Sequence, residues 1–340
     1  MCTPSQLRAP GKSSECETNA LANVLSRCTC RRTVLRSALA FTVAPLIGRV
    51  PALANTTLPI SEVAPGVFVH QGRYELQSPE NRGDMSNASF VIGNDAVAVI
   101  DTLGSAKVGR ELRAAIKAIT DKPIRYVINT HMHPDHVFGN AAFKDDNPQF
   151  VGHHKLRRGL QARTQSYMAS SKNMLGEDAF AGSEIILPTL NVDDTLTLDL
   201  GGRSLMCEAQ KTAHTDNDLI ITDSKTDTAF FGDLLFSGHI PTLDGSLRGW
   251  LPLIEQLEAR KAARVVPGHG PHAMHLPDAM LAEKQYWSAV ATDVRKLIKD
   301  GRDLMEATKT AGQSERPNWK LFEQYHVRNV TAAFAELEWE

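Results

Sequence analysis

Beyond residue 54 the chain holds a single cysteine, Cys207; the other four, Cys2, Cys16, Cys28 and Cys30, all lie before that point. A lone thiol closes no intramolecular disulfide, so stability must come from a packed core. Cys207 sits in the alternating run Ser204-Leu205-Met206-Cys207-Glu208 and reads as a packed strand residue. Basic charge is also scarce. Taking the seven Lys/Arg and two Glu of the first 54 residues from the chain's 37 and 39 leaves 30 basic and 37 acidic residues, a formal charge of −7. With no basic cluster, nucleic acid is excluded as a general partner. No Gly-x-Ser-x-Gly elbow, no low-complexity tract and no short repeat occurs.

Long apolar runs are missing too. The one in residues 37–47 is too short for a permanent bilayer span, so no membrane span is expected in the mature protein. It follows Arg31-Arg32-Thr33-Val34-Leu35 and precedes Ala52-Leu53-Ala54, a small-x-small cleavage pattern. The paired arginines resemble a twin-arginine export signal, with a Sec-type leader as the alternative. Residues 1–54 therefore read as a leader to the periplasm and residues 55–340 as the mature domain.

What remains has ordinary globular composition, 42% hydrophobic and 22% charged. Strands are expected at residues 66–70, 86–93, 96–101, 124–129 and 149–152 in the first half. In the second half they are expected at 196–200, 203–208, 218–223, 228–232 and 264–266. Helical spacing appears at 106–120, with Val108, Leu112, Ile116 and Ile119 on one face, and from Val137 to Phe143. It returns at 156–175, 250–263 and 277–300. Residues 301–340 read as two amphipathic helices with Val327, Val330, Phe334 and Leu337 on one stripe, fitting either core or a homo-oligomer contact. Hairpins in both halves with helices between and after imply two packed sheets covered by helices, an α/β layered fold.

The centre of gravity is Thr130-His131-Met132-His133-Pro134-Asp135-His136, directly after an apolar strand and before a helix. Imidazole and carboxylate are the donors that zinc and its neighbours prefer, and strand-to-helix turns are favoured ligand sites. Four donors in one turn exceed what one zinc ion uses, which implies two metals and further ligands downstream. Three carboxylate or imidazole residues end or follow apolar strands: His214, Asp233 after Phe230-Phe231-Gly232, and His269 in Val265-Val266-Pro267-Gly268-His269-Gly270.

His131-x-His133-x-Asp135-His136, followed by His214, Asp233 and His269, resembles the metallo-β-lactamase superfamily from about Gly66 to Gly270. The resemblance implies an αββα sandwich with a dinuclear site at one edge of the sheets. It assigns His131, His133 and His214 to one metal and Asp135, His136 and His269 to the other, with Asp233 bridging. A bridging aspartate is similar to glyoxalase II-like hydrolases and argues against antibiotic hydrolysis. The exported leader, His214-Thr215-Asp216-Asn217-Asp218 and Leu243-Asp244-Gly245-Ser246-Leu247-Arg248-Gly249-Trp250 look like the quinoprotein relay system zinc metallohydrolases, relatives of a sulfur-oxidation-cluster hydrolase. That implies a functional link to quinoprotein dehydrogenases.

The expectation is a zinc-dependent hydrolase with two Zn2+ per chain, attacking a small ester, thioester or lactone with metal-activated hydroxide that Asp135 or Asp233 orients. Iron and manganese suit the same donors. An iron-dependent oxidoreductase of the same fold, disfavoured by His133 where flavin-linked relatives carry glutamate, and a non-catalytic metal-binding accessory protein are the alternatives. His153, His154, Asn87 and Ser89 read equally as cleft or structural residues, Arg248 as an anion partner or a loop cap, and His272 and His275 as surface.

Overall fold

The computed structural model describes residues 58–340, so the leader in residues 1–54 lies outside the described residues. The strands of the first sheet are β1 (Ser61–Ala64), β2 (Val67–His70), β3 (Ala88–Ile92), β4 (Val97–Ile100), β5 (Ile124–Ile128), β6 (Gln149–His153) and β7 (Leu190–Val192), hydrogen-bonded in that order. Antiparallel hairpins open it, and β4 through β7 run parallel. The second sheet is formed by β8 (Thr195–Asp199), β9 (Ser204–Ala209), β10 (Leu219–Asp223), β11 (Thr228–Phe236) and β12 (Arg264–His269), in the order β12-β11-β10-β9-β8.

Alternation explains how the two sheets meet. Val67, Val69, Val91, Ala98 and Ile100 from the first face Leu205, Cys207, Leu219, Ile221 and Phe230 from the second, in one buried cluster. Cys207 is buried within it and its thiol is pushed up to about 12 by burial, so it is inert packing.

Helices cover the outer faces. On the first sheet lie α1 (Ala106–Ile119), the four-residue α2 (Pro134–Val137) and α3 (Leu156–Phe180), which is broken at Gly176. On the second lie α4 (Leu247–Glu258), α5 (Asp278–Lys299), α6 (Leu304–Thr310) and α7 (Phe322–Leu337). No helix among the described residues is long and apolar enough to cross a membrane. α1 starts where Ser105 accepts from Val108 N, and it buries Val108, Leu112 and Ile116 completely. Each such side chain contributes about 1.5–3 kcal/mol.

Several expectations need correction. Ile119 is 44% exposed and Val327 55%, because each lies off the buried face of its helix. The segment after the histidine turn is a 3-10 helix, Phe138–Asp146, and its Gly139 passes so close to Thr102 that a Cβ would meet the Thr102 carbonyl oxygen at 1.7 Å. Asp233 does not end its strand: β11 continues to Phe236. The short strands β1 and β7 carried too little alternation to be read, and α4 begins three residues before Trp250.

Candidate metal centre

All seven predicted ligands converge at one edge of the two sheets. His131 follows β5, with His133 two residues on, and Asp135 and His136 lie in α2. His214 precedes β10, Asp233 lies in β11 and His269 ends β12. Two groups form, His131, His133, His214 and Asp233 in one and Asp135, His136 and His269 in the other; within each, the donor atoms lie within 4.8 Å of one another. Oδ2 of Asp233 stands 3.4 Å from His214 Nε2, 3.7 Å from His131 Nε2 and 3.5 Å from His269 Nε2, so this carboxylate joins both groups. Oδ2 of Asp135 is 3.5 Å from His136 Nε2 and 3.3 Å from His269 Nε2.

Hydrogen bonds behind the rings fix which nitrogen faces inward. His131 Nδ1 donates to Thr130 Oγ1 at 3.0 Å, and that hydroxyl donates to Asp101 Oδ2 at 2.7 Å. His136 Nδ1 donates to the same Asp101 oxygen at 2.8 Å. His214 Nδ1 donates to the Thr242 carbonyl at 2.7 Å and His269 Nδ1 to the Met85 carbonyl at 2.9 Å. His133 is reversed: its Nε2 donates to Asp244 Oδ2 at 3.1 Å and its Nδ1 faces the group. Each outer N–H is thereby satisfied and each ring turns its other nitrogen toward the cluster.

That arrangement fits divalent cations. His133 Nδ1 lies 2.9 Å from His214 Nε2 and 3.1 Å from His131 Nε2, lone pair toward lone pair. Burial pushes the His214 imidazole down to about 3 and that of His131 well below its usual range, so no proton relieves the contact at ordinary pH. In the second group burial also opposes charge, but Asp233 and Asp135 outweigh it and raise His269 to about 9, while those two carboxylates and Asp101 raise His136. His136 Nε2 and Asp233 Oδ1 are buried 3.2 Å apart without a directed hydrogen bond among the described residues. Three imidazoles with a carboxylate, and two imidazoles with two carboxylates, are donor sets that zinc and neighbouring metals take.

Glycines make room for this crowding. Gly232, at φ +52°, lies against Thr130, and a Cβ on Gly268 would stand 1.9 Å from Asp233 Oδ1. Asp101, at φ +56°, is held by its bonds to the Thr130 backbone, the Thr130 hydroxyl and His136. Asn87 uses its amide on the carbonyls of Pro267 and Gly270 and accepts from Gly72 N, so it pins the His269 loop. His153 is buried against His154 and accepts from Lys155 N, Arg248 pairs with Glu340, His272 is half-buried and His275 is exposed. None of these lines the cavity beside the cluster.

The cavity, about 540 Å³, opens over His133, Asp135, Asp233 and His269. Its other walls are Arg163, Tyr167 and Met174 from α3, Tyr325 and Arg328 from α7, and Phe236, His239 and Asp244 around the end of β11. Of these the sequence singled out only Asp244, in the loop that carries the motif resemblance. His239 Nδ1 donates to the Ile240 carbonyl at 2.6 Å, its ring packs 4.8 Å from that of His269, and its Nε2 is buried with no partner among the described residues. The i, i+4 pair Arg163/Tyr167 and the i, i+3 pair Tyr325/Arg328 were the available signals, each a polar aromatic one helical turn from a cation.

A family model described as the Metallo-beta-lactamase superfamily matches residues 81–269, over half of the 340-residue chain, and the chain belongs to that superfamily. Among solved structures it is similar to a metallo-beta-lactamase from Pontibacter korlensis, at 19% identity and TM-score 0.55 over 68% of this chain and 99% of that one. It is also similar to TMB-1, at 18% identity and TM-score 0.52 over 68% and 97%. These likenesses show the shared fold. A 49-residue segment, 14% of this chain, is 39% identical to the linear primary-alkylsulfatase of Pseudomonas sp. (strain ATCC 19151), of which it spans 9%. Members of this superfamily are generally hydrolases, and the His/Asp cluster is suited to divalent metal.

Proposed function

We propose that the protein is a periplasmic hydrolase that binds two zinc ions and cleaves a small ester, thioester or lactone. The carrying observation is the set of uncharged imidazole lone pairs meeting 2.9–3.1 Å apart, with Asp233 joining that group to a second one under an open cavity. The first metal would be held by His131, His133 and His214, the second by Asp135, His136 and His269, and Asp233 would serve both. Two such cations supply a water nucleophile with a pKa near neutrality and polarise a carbonyl oxygen.

The chain's own groups do the rest. Burial raises the Asp135 carboxyl, but His136 and His269 lower it by more, so it stays ionised at the cavity floor and accepts a hydrogen bond from a water there. Burial pushes the Tyr167 phenol up and that of Tyr325 up to about 12, so both remain donors at working pH and can face charge developing on oxygen. Apolar Phe236 and Met85 exclude water from one side.

Export rests on the twin-arginine-type reading of residues 1–54, and a link to quinoprotein dehydrogenases on the motif resemblance. The alkylsulfatase match supports a second substrate arm, sulfate esters.

Metal content by mass spectrometry, with a screen of chromogenic esters, thioesters, lactones, sulfate esters and a cephalosporin, tests the reading. About two zinc per chain with turnover lost in Asp233→Ala and His133→Ala is expected. Iron in place of zinc would move the assignment to an oxidoreductase, and zinc without turnover to an accessory protein.

A further inference from the structure

The outer wall of the cavity comes partly from α7, beyond the family-matched residues 81–269. α7 is fixed to the loop after β11. Asn329 accepts from Leu243 N at 3.1 Å and donates to the Pro241 carbonyl at 2.7 Å, and Glu336 accepts from Leu247 N at 2.7 Å. These bonds set Tyr325 and Arg328 over the cavity, opposite Arg163 and Tyr167 of α3.

Arg163 Nη2 lies 3.6 Å from Asp244 Oδ2, and Arg328 Nη2 lies 3.5 Å from Asp244 Oδ1. Asp244 already spends Oδ2 on His133. Two guanidiniums thus share one carboxylate, leaving a surplus positive charge one side chain away from a ligand of the first metal. Among the described residues neither guanidinium donates a directed hydrogen bond to a protein group, and both line the cavity. Beside polar Gln77, Ser170, Ser171 and Thr242, the lining carries the apolar side chains of Leu76, Met85, Met174 and Phe236, with Leu76 and Met174 exposed.

We propose that Arg163 and Arg328 bind a permanent anionic group, of carboxylate or sulfonate type, on a substrate whose apolar body lies against Leu76, Met85, Met174 and Phe236. This deepens the hydrolase reading and rests on it: the substrate is an amphiphilic anion with its scissile bond at the metals and its charge beyond Asp244. Bidentate guanidinium recognition favours planar or tripodal oxyanions, and the flexible thioether and leucine at the mouth admit aliphatic chains of several lengths.

The test is calorimetric titration of the zinc-loaded protein with hexanesulfonate and with uncharged hexanol. Both arginines reach solvent, so Arg163→Gln with Arg328→Gln is expected to leave melting temperature and zinc content unchanged. Hexanesulfonate should bind roughly tenfold or more weakly to the double variant, hexanol should be unaffected, and lysine at both positions should recover part of the loss. The proposal is overturned if wild type does not bind hexanesulfonate, if the double variant binds it as tightly, or if both probes weaken equally. Sulfonate held by zinc alone would persist in the double variant and vanish on chelation, which also overturns it. Failure of the hydrolase reading shows separately, as no turnover of any ester with sulfonate binding intact.

Discussion

His133 donates its Nε2 proton to Asp244 at 3.1 Å, and that bond turns the ring so that Nδ1, rather than Nε2 as in His131, His136, His214 and His269, meets the cluster. Burial raises the Asp244 carboxyl, but its bond to His133 and the nearby Arg163 and Arg328 bring it down to about 2, so it is an acceptor at any working pH. Asp244→Ala leaves the tautomer and orientation of His133 unspecified. Metal affinity at the first group should fall about 10- to 100-fold, read by competition with a chromophoric chelator. Asp244→Asn retains an acceptor oxygen and should lose much less. Equal affinities for wild type and the alanine variant would remove Asp244 from this role.

Asp101 serves both metal groups at once, through the Thr130 hydroxyl to His131 and directly to His136. Thr130→Val cuts only the first branch. It leaves a buried His131 N–H unpaired, which costs about 1–3 kcal/mol of folding stability, and should weaken metal at the first group more than at the second. Asp101→Ala should weaken both. Differential metal occupancy, followed by cobalt substitution and absorption spectroscopy, distinguishes the two outcomes; a uniform loss in the threonine variant would contradict the branched arrangement.

Glu283 of α5 is fully buried, and its one directed protein bond is Oε2 accepting from Phe236 N at 2.9 Å, just past Asp233 on the same strand. Burial pushes its carboxyl well above the usual value of 4.5, the Phe236 bond only partly opposing it. The folded protein therefore keeps a proton that the unfolded chain loses above that value. Stability contributed by this group falls as pH rises, by about 1.4 kcal/mol per unit, until the folded pKa is passed. Glu283→Gln keeps an acceptor for Phe236 and removes the slope. Denaturant titrations of chelated protein from pH 4.5 upward should show the variant gaining on wild type as pH increases; parallel curves would contradict the account.

How far the sequence exposes the site depends on where each donor sits in the chain. His131, His133, Asp135 and His136 are legible because a strand, a turn and four ligand-type side chains are consecutive. Asp101 follows the apolar run Val97–Ile100 much as Asp233 follows Phe230 and Phe231, yet nothing beside it marks a site. Arg328 and Tyr325 escape because helical periodicity reports which face is buried and says nothing about which cavity the boundary residues overlook. The same limit explains Ile119 and Val327, apolar residues left in solvent. The two-sheet core was legible from its apolar runs and alternation, while β1, Ser61-Glu62-Val63-Ala64, shows neither and β7 is only three residues long.

Gly268 tests whether close backbone approach is what sets the joining carboxylate. A methyl group there would stand 1.9 Å from Asp233 Oδ1 and 2.7 Å from the carbonyl carbon of Gly232, and neither neighbour can retreat: Gly232 is pressed against Thr130, and Asp233 is ringed by imidazoles. Gly268→Ala must therefore displace Asp233, the one carboxylate that joins the two ligand groups. Strain of this kind costs about 1–3 kcal/mol of stability, while the centre should fall to one metal or fewer and turnover should drop with it. Metal content by mass spectrometry beside a thermal melt separates these effects. Two metals retained with a lowered melting temperature would mean that the loop moves and Asp233 stays. Loss of metal from a protein that still melts cooperatively would show that this glycine sets the position of the carboxylate.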